Sequence, residues 1–223
     1  MPHGREAGKR YAAPAKGGHV TCRILVAGNR FVSFVIGKGY LRRLTIRTST
    51  LMTSRSIEPQ KLAVITGASR GLGRVLAAFL AKQGHVLIIT ARGGDELSEA
   101  SDEFASAGSP VISLRGDVSD AAHRRRILEA AERWGRIDVL VNNASDLGDT
   151  PLQPLSMASG ETFRRVLEVN TIAPLALIQE ALPLLIRSQG LVVNISSDAA
   201  LGGYPGWGVY GASKAYAMTG WRI

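Results

Sequence analysis

A short apolar run, Lys61-Leu-Ala-Val-Ile65, leads directly into Thr66-Gly-Ala-Ser-Arg-Gly-Leu-Gly73, and no other part of the chain constrains the fold as much. The run has the composition of a strand buried on both faces. Behind the glycines, Val75, Leu76, Phe79 and Leu80 recur at helical spacing as far as Gly84, a natural stop. In such a strand–turn–helix unit each glycine has its own part. Gly67 permits the tight turn, Gly71 lets backbone approach a pyrophosphate, and Gly73 lets helix and strand pack closely. Open N–H groups in the helix's first turn would then hold the phosphates. A glycine turn with no ligand is the competing reading, and the strand-to-helix context favours the ligand.

Around this unit strands and helices alternate, the pattern of an α/β fold with a doubly wound parallel sheet. Strands are expected near 61–66, 86–90, 110–114, 137–141 and 190–196. Helices are expected near 71–83, 95–107, 119–134, 160–187 and 208–222, with Pro174 and Pro183 bending the long one. Right-handed crossovers put the strands' C-terminal ends on one edge, where the glycine turn, Asn142, Ser197 and Tyr210 converge. His123 and Arg124-Arg-Arg126 read as a solvated helix face.

Charge divides the chain. Residues 1–51 hold ten Lys/Arg against Glu6, whereas 52–223 hold seventeen of each sign, so the formal +9 belongs to the N-terminal part. Residues 1–56 therefore read as a basic extension and 57–223 as the nucleotide-binding domain. Three origins stand open for the extension: a disordered upstream segment with Met52 as the natural start, an organellar targeting peptide, or a nucleic-acid-binding arm. The first is favoured, which leaves the nucleic-acid and membrane functions out and a cytoplasmic location expected, with organellar import as the variant. Phe31-Val-Ser-Phe-Val-Ile36 is too short to span a bilayer. Cys22 is the only cysteine, and His3, His19, His85 and His123 lack ligand spacing, so no metal site is expected.

Near the C-terminal end lies Tyr210-Gly-Ala-Ser-Lys214, which sets a phenol and an ammonium one helical turn apart. That pair suits acid–base work on a carbonyl or alcohol. Alone it is common; in company it is not. Together with T-G-x-x-x-G-x-G at Thr66–Gly73, Asp117 in Arg115-Gly-Asp-Val118, Asn142-Asn-Ala-Ser145, Asn170 in Glu168-Val-Asn-Thr171 and Ser197 in Asn194-Ile-Ser-Ser197, the chain resembles the short-chain dehydrogenase/reductase family over about residues 60–222. Ser145 departs from the family pattern, which has glycine there.

The resemblance implies a Rossmann fold and an oxidoreductase that moves a hydride between nicotinamide and a carbonyl or alcohol, of the carbonyl or 3-oxoacyl reductase kind. It implies a catalytic set of Asn170, Ser197, Tyr210 and Lys214. The cofactor would be held by Thr66, Gly67, Ser69, Arg70, Gly71, Leu72, Gly73, Arg92, Asp117, Val118, Asn143 and Ala144, besides Tyr210 and Lys214. NADP(H) is expected over NAD(H), because Ile88-Ile-Thr-Ala-Arg92 offers no carboxylate to the ribose and Arg92 and Arg70 suit a 2′-phosphate. Tyr210 would exchange the proton, which near neutrality needs its pKa depressed by about 3 units, with Lys214 and the oxidised nicotinamide supplying the charge. Asn170 would hold a water beside Lys214, and Ser197 rather than Ser196 would polarise the substrate oxygen. Against the family's length the chain stops early, so the sheet is expected to be incomplete at its C-terminal edge, with an exposed apolar flank. A truncated homologue that binds nucleotide without catalysis is the alternative function, and the family's usual homo-oligomer is correspondingly in doubt.

Overall fold

A computed structural model of the chain describes residues 23–26, 31–36 and 60–218. Seven strands form one sheet: β1 (Arg23–Val26), β2 (Phe31–Ile36), β3 (Leu62–Thr66), β4 (Val86–Ala91), β5 (Val111–Arg115), β6 (Val139–Asn142) and β7 (Leu191–Ser197). Their spatial order is β1-β2-β7-β6-β3-β4-β5, and every neighbouring pair is parallel except β1 with β2. Helices α1 (Gly71–Lys82), α2 (Gly94–Ser106), α3 (Ala121–Glu132), α4 (Gly160–Leu167), α5 (Ala173–Ser188) and α6 (Gly208–Ala215) complete the described elements, with short turns of other pitch between them.

The five expected strands and the alternation with helices are all present. β3 is buried along its whole length, and its side chains alternate between two cores. Leu62 and Val64 join α3 and α5 through Ile127, Leu177, Ile178 and Ala181. Ala63 and Ile65 join α1 and α2 through Ala77, Leu97, Ala100 and Phe104. Each fully buried Leu or Ile contributes roughly 1.5–3 kcal/mol, so β3 is the sheet's anchor. It is also where the winding reverses, with β4 on one side and β6 on the other. A crevice must therefore open at the C-terminal ends of β3 and β6.

The flank left bare by the sequence reading is not bare. Residues Phe31–Ile36 pair in parallel with β7 from Val192 to Ser197 and carry β1 on their outer side. The ladder gives the β7 backbone a partner on each side, which removes an exposed edge. Cys22, Met52, His3, His19 and the stretch 219–223 of the last expected helix lie outside the described residues.

Three local expectations are corrected. The long helix is not simply bent at its prolines: a π turn over Glu168–Ile172 separates α4 from α5. Pro174 falls in the first turn of α5, where its missing N–H costs nothing, and Pro183 stays inside α5. His123 is not solvated but 1% exposed, with Nε2 at 2.6 Å from Thr90 Oγ1 and Nδ1 at 2.8 Å from Arg126. Burial pushes its pKa down, and the Arg126 charge adds to that. Arg124 is also buried and donates to the carbonyls of Val118 and Ser119, facing Glu180 of α5 at 3.6 Å. The run Gly160–Ser188 is long and apolar enough, by length and composition, to cross a membrane. In the fold Leu177, Ile178, Ala181, Leu184 and Leu185 pack into the core beside α3.

Candidate functional site

The crevice at the winding reversal is a cleft of about 460 Å³. Its floor is the glycine turn. Gly67 has φ +66° and Gly71 φ +57°, left-handed conformations that only glycine takes at little cost. At Gly73 an added Cβ would collide with the Gly67 carbonyl oxygen and the Asn143 amide. Asn143 explains the tightness: its Nδ2 donates to the carbonyls of Thr66 (3.0 Å) and Gly67 (2.9 Å), pinning the turn to the end of β6. Thr66 completes the clamp, its Oγ1 accepting from the backbone N–H of Asn143 and Ala144, both at 3.0 Å.

The helix end at the cleft suits an anion. Helix α1 begins at Gly71 with no side-chain cap and no acid in its first turn. By contrast α3 and α4 are capped by Asp120 and Ser159. Uncapped N–H groups and the positive helix end favour a phosphate. At the outer end stand Arg70 and Arg92, each loosely balanced: Arg70 lies 3.9 Å from Glu96, and Arg92 lies 3.9 Å from Asp117. Both guanidiniums are well exposed and able to turn to a ligand.

Of the residues expected at a cofactor, Gly67, Ser69, Arg70, Leu72, Arg92, Asp117, Val118, Asn143 and Ala144 line this cleft. Thr66 and Gly73 shape it from behind, and Gly71 starts the helix over it. The sequence reading missed Thr90, Gly93, Glu96, Gly116 and Val169, and gave Ser145 no role. Gly93 and Glu96 follow the C-terminal end of β4, a position that in any such sheet borders the crevice.

The expected catalytic residues Asn170, Ser197, Tyr210 and Lys214 are not part of that lining. Ser145, on the cleft wall, donates to one of them, Asn170 Oδ1, at 3.2 Å. Ser197, at the end of β7, donates to Asp198 Oδ1 at 3.0 Å. The preference for Ser197 over Ser196 agrees with the strand's alternation, since Ser196 Oγ points away and donates to the Lys214 carbonyl at 2.8 Å. Trp207 meets the Tyr210 ring edge-on at 5.6 Å.

Two details differ from expectation. Lys214 does not touch the phenolic oxygen: its ammonium sits 5.6 Å from the Tyr210 ring centroid and donates to the Ile195 carbonyl at 3.0 Å. It is 3% exposed, and burial alone lowers its pKa to about 8. Tyr210 accordingly is not depressed; burial pushes its pKa above the ordinary value, aided by the Asp198 charge and opposed by the Ser145 and Ser197 hydroxyls. The Asn170 side chain is also fully engaged. It donates to the Asp146 carbonyl (2.8 Å) and Ser213 Oγ (2.9 Å), and accepts from Asp146 N (2.8 Å) and Ser145. A water between this amide and Lys214 would have to displace one of those partners.

Among the described residues no group of His, Cys, Asp and Glu is arranged to hold a metal ion.

The sequence profile of the short chain dehydrogenase family matches residues 61–221. The chain is 38% identical over 157 residues to the short-chain dehydrogenase/reductase FrzI of a Cladobotryum species, an alignment covering 70% of this chain and 59% of that one. Among solved structures it is similar to an alcohol dehydrogenase of the archaeon Thermococcus sibiricus complexed with 5-hydroxy-NADP. That match has 35% identity and a TM-score of 0.66, and it covers 71% of this chain and 67% of the other. It is equally similar to a short chain dehydrogenase/reductase of Burkholderia phymatum in complex with NAD, with 31% identity, a TM-score of 0.67, and coverage of 72% and 57%. The chain spans about three fifths or less of the length of the first curated relatives it matches. Relatives thus hold either dinucleotide.

Proposed function

The chain belongs to the short-chain dehydrogenase family, and on that premise we propose that it is an NADP(H)-dependent oxidoreductase acting on a carbonyl or alcohol. The observation that carries this reading is continuity. One cleft begins at two arginines, passes an uncapped helix end and finishes at Ser145, which donates to Asn170; Asn170 in turn donates to Ser213, on the helix of Tyr210. The cleft walled by Gly67, Ser69 and Leu72 and the uncapped helix end beside it fit a dinucleotide.

Gly67, Ser69, Leu72 and the first turn of α1 would hold the pyrophosphate, and Arg70 and Arg92 the 2′-phosphate. Asp117 and Val118 would border the adenine, and Asn143 and Ala144 the ribose nearer Tyr210. When bound, the nicotinamide supplies or accepts the hydride. Ser197 orients the substrate oxygen by a hydrogen bond, and Tyr210 gives that oxygen its proton. The raised pKa of Tyr210 keeps the phenol protonated at neutral pH, which suits a donor and therefore carbonyl reduction. Lys214, turned from Ile195, would bring its charge to the ribose hydroxyls and the phenolate.

The NADP preference rests on Arg70 and Arg92, whose guanidinium planes match phosphate oxygens. Fluorescence titration of the purified chain tests it. NADPH should bind at least about tenfold more tightly than NADH, since one additional charge-assisted hydrogen bond is worth about 1.5–3 kcal/mol. A panel of aldehydes, diketones and 3-oxoacyl thioesters should then show NADPH oxidation. Equal affinity for the two dinucleotides refutes the preference, and failure to bind either refutes the reading. A second reading, nucleotide binding without turnover, draws on the engagement of the Lys214 ammonium with the Ile195 carbonyl. Tight NADPH binding with no substrate consumed would select it.

A further inference from the structure

We propose that His123 is a positioning residue for dinucleotide binding: from behind the cleft its neutral imidazole holds the wall formed by Thr90 and Gly116, and protonation of the ring weakens the hold on the ligand. The inference rests on the reading of the cleft as a dinucleotide site.

Thr90, in β4, and Gly116, just after β5, both border the cleft. From α3 the buried His123 ring meets the two of them. Its Nε2 lies 2.6 Å from Thr90 Oγ1. A Cβ at Gly116 would stand 2.2 Å from its Nδ1, so a side chain there would drive the ring from its place. Thr90 carries the contact on to the glycine turn, because its carbonyl accepts from the Ala68 N–H at 3.1 Å. The Gly116 N–H donates to the Ala91 carbonyl at 3.0 Å, which ties the turn after β5 to β4.

Arg126 dictates the tautomer. A guanidinium donates and never accepts, and Arg126 Nη2 lies 2.8 Å from His123 Nδ1 while it also donates to the Arg115 carbonyl at 2.8 Å. Nδ1 is therefore the bare acceptor, and Nε2 carries the proton that it donates to Thr90. A second proton can enter only at Nδ1, where it meets an N–H donor and a positive charge. The ring has no room to retreat on the Gly116 side, so the charged form must part from Arg126 or displace the cleft wall. The charged groups around the ring are Arg126 and Asp120 of α3 and Asp117 of the turn after β5. Burial and Arg126 oppose its charge, and the two carboxylates favour it. Arg115 is turned to the Arg92 carbonyl, and Arg124, faced by Glu180 of α5, to those of Val118 and Ser119.

Calorimetric titration of the full chain with NADP⁺ from about pH 5 to 8, the range of histidine titration, tests the proposal beside His123→Gln. The glutamine amide can donate to Thr90 but does not titrate, so at the alkaline end the two proteins should bind alike. As pH falls, the Kd of the unaltered chain relative to the variant should rise by up to about tenfold per pH unit, the limit for one linked proton. The 2′-phosphate titrates in both experiments and cancels from the ratio. A ratio that stays flat, whatever its size, overturns the proposal, because a merely structural role weakens binding equally at every pH. A second measure needs no variant: NMR titration of the His123 Cε1–H in the unaltered chain, assigned by triple resonance, with circular dichroism showing the fold intact. NADP⁺ should lower that titration by about one pH unit for each tenfold preference for the neutral ring. A His123 titration unmoved or raised by NADP⁺ overturns the proposal. Binding of neither NADP⁺ nor NADPH at any pH would instead overturn the dinucleotide reading, and this inference with it.

Discussion

The two ends of the cleft are built in different ways. At the phosphate end, position is set by backbone. Gly67 and Gly71 take left-handed φ, Gly73 has no room for a side chain, and Thr66 and Asn143 tie the turn to β6. At the proton-transfer end, position is set by side-chain torsions. Lys214 donates to the Ile195 carbonyl, and Ser145 donates to Asn170. The first end is complete without a ligand. A preorganised binding end can thus be present whatever the state of the reacting end.

Breaking the phosphate end should have the largest effect. Gly73→Ala forces a Cβ against the Gly67 carbonyl and Asn143, so the turn must open. A stability loss of about 1–3 kcal/mol and loss of measurable NADPH binding are expected, by thermal melting and fluorescence titration. Arg70→Gln and Arg92→Gln sharpen the contrast at its outer edge. Each should weaken NADPH about tenfold and leave NADH unchanged, since a charge-assisted hydrogen bond to the 2′-phosphate is worth about 1.5–3 kcal/mol. An equal weakening for both dinucleotides would place the arginines elsewhere on the ligand.

A smaller effect of opposite sign is expected at the reacting end. Burial holds Lys214 down to about 8, so its charged form costs stability at every pH below that value. The cost is relieved as pH rises from about 8 to 10.5, because in that window the unfolded chain binds more protons. Lys214→Met should remove a penalty of about 3 kcal/mol and orphan the Ile195 carbonyl at about 1–2 kcal/mol. The net gain of about 1 kcal/mol raises Tm by roughly 2–4 °C at pH 7. Near pH 10.5 the gain should vanish or reverse. Catalysis should be lost at either pH.

How much of this was legible follows from the same division. The glycine turn could be read from residue types because a backbone conformation admits few alternatives, and the crevice followed from strand order. Ser197 could be separated from Ser196 because a strand has period two. Buried Arg124 and His123 could not be read. Their helix carries only two large apolar residues, Ile127 and Leu128, and their partners are the carbonyls of Val118 and Ser119 and the Thr90 hydroxyl, outside any helical pattern. The pairing of Phe31–Ile36 with β7 was equally hidden, since its partner lies some 160 residues away and parallel register leaves no local signature. Ser145 was visible only as a departure, and its significance needed the distance to Asn170.

On the proposed function the chain has two separable tasks, dinucleotide binding by backbone and proton transfer by Tyr210. The direct measurement is NADPH affinity and carbonyl reduction in Tyr210→Phe, side by side with the unaltered chain. Affinity should stay within about twofold, while turnover falls by roughly 10²–10⁴, the range for loss of a general acid. Turnover unchanged, or affinity lost together with it, would contradict this division of tasks.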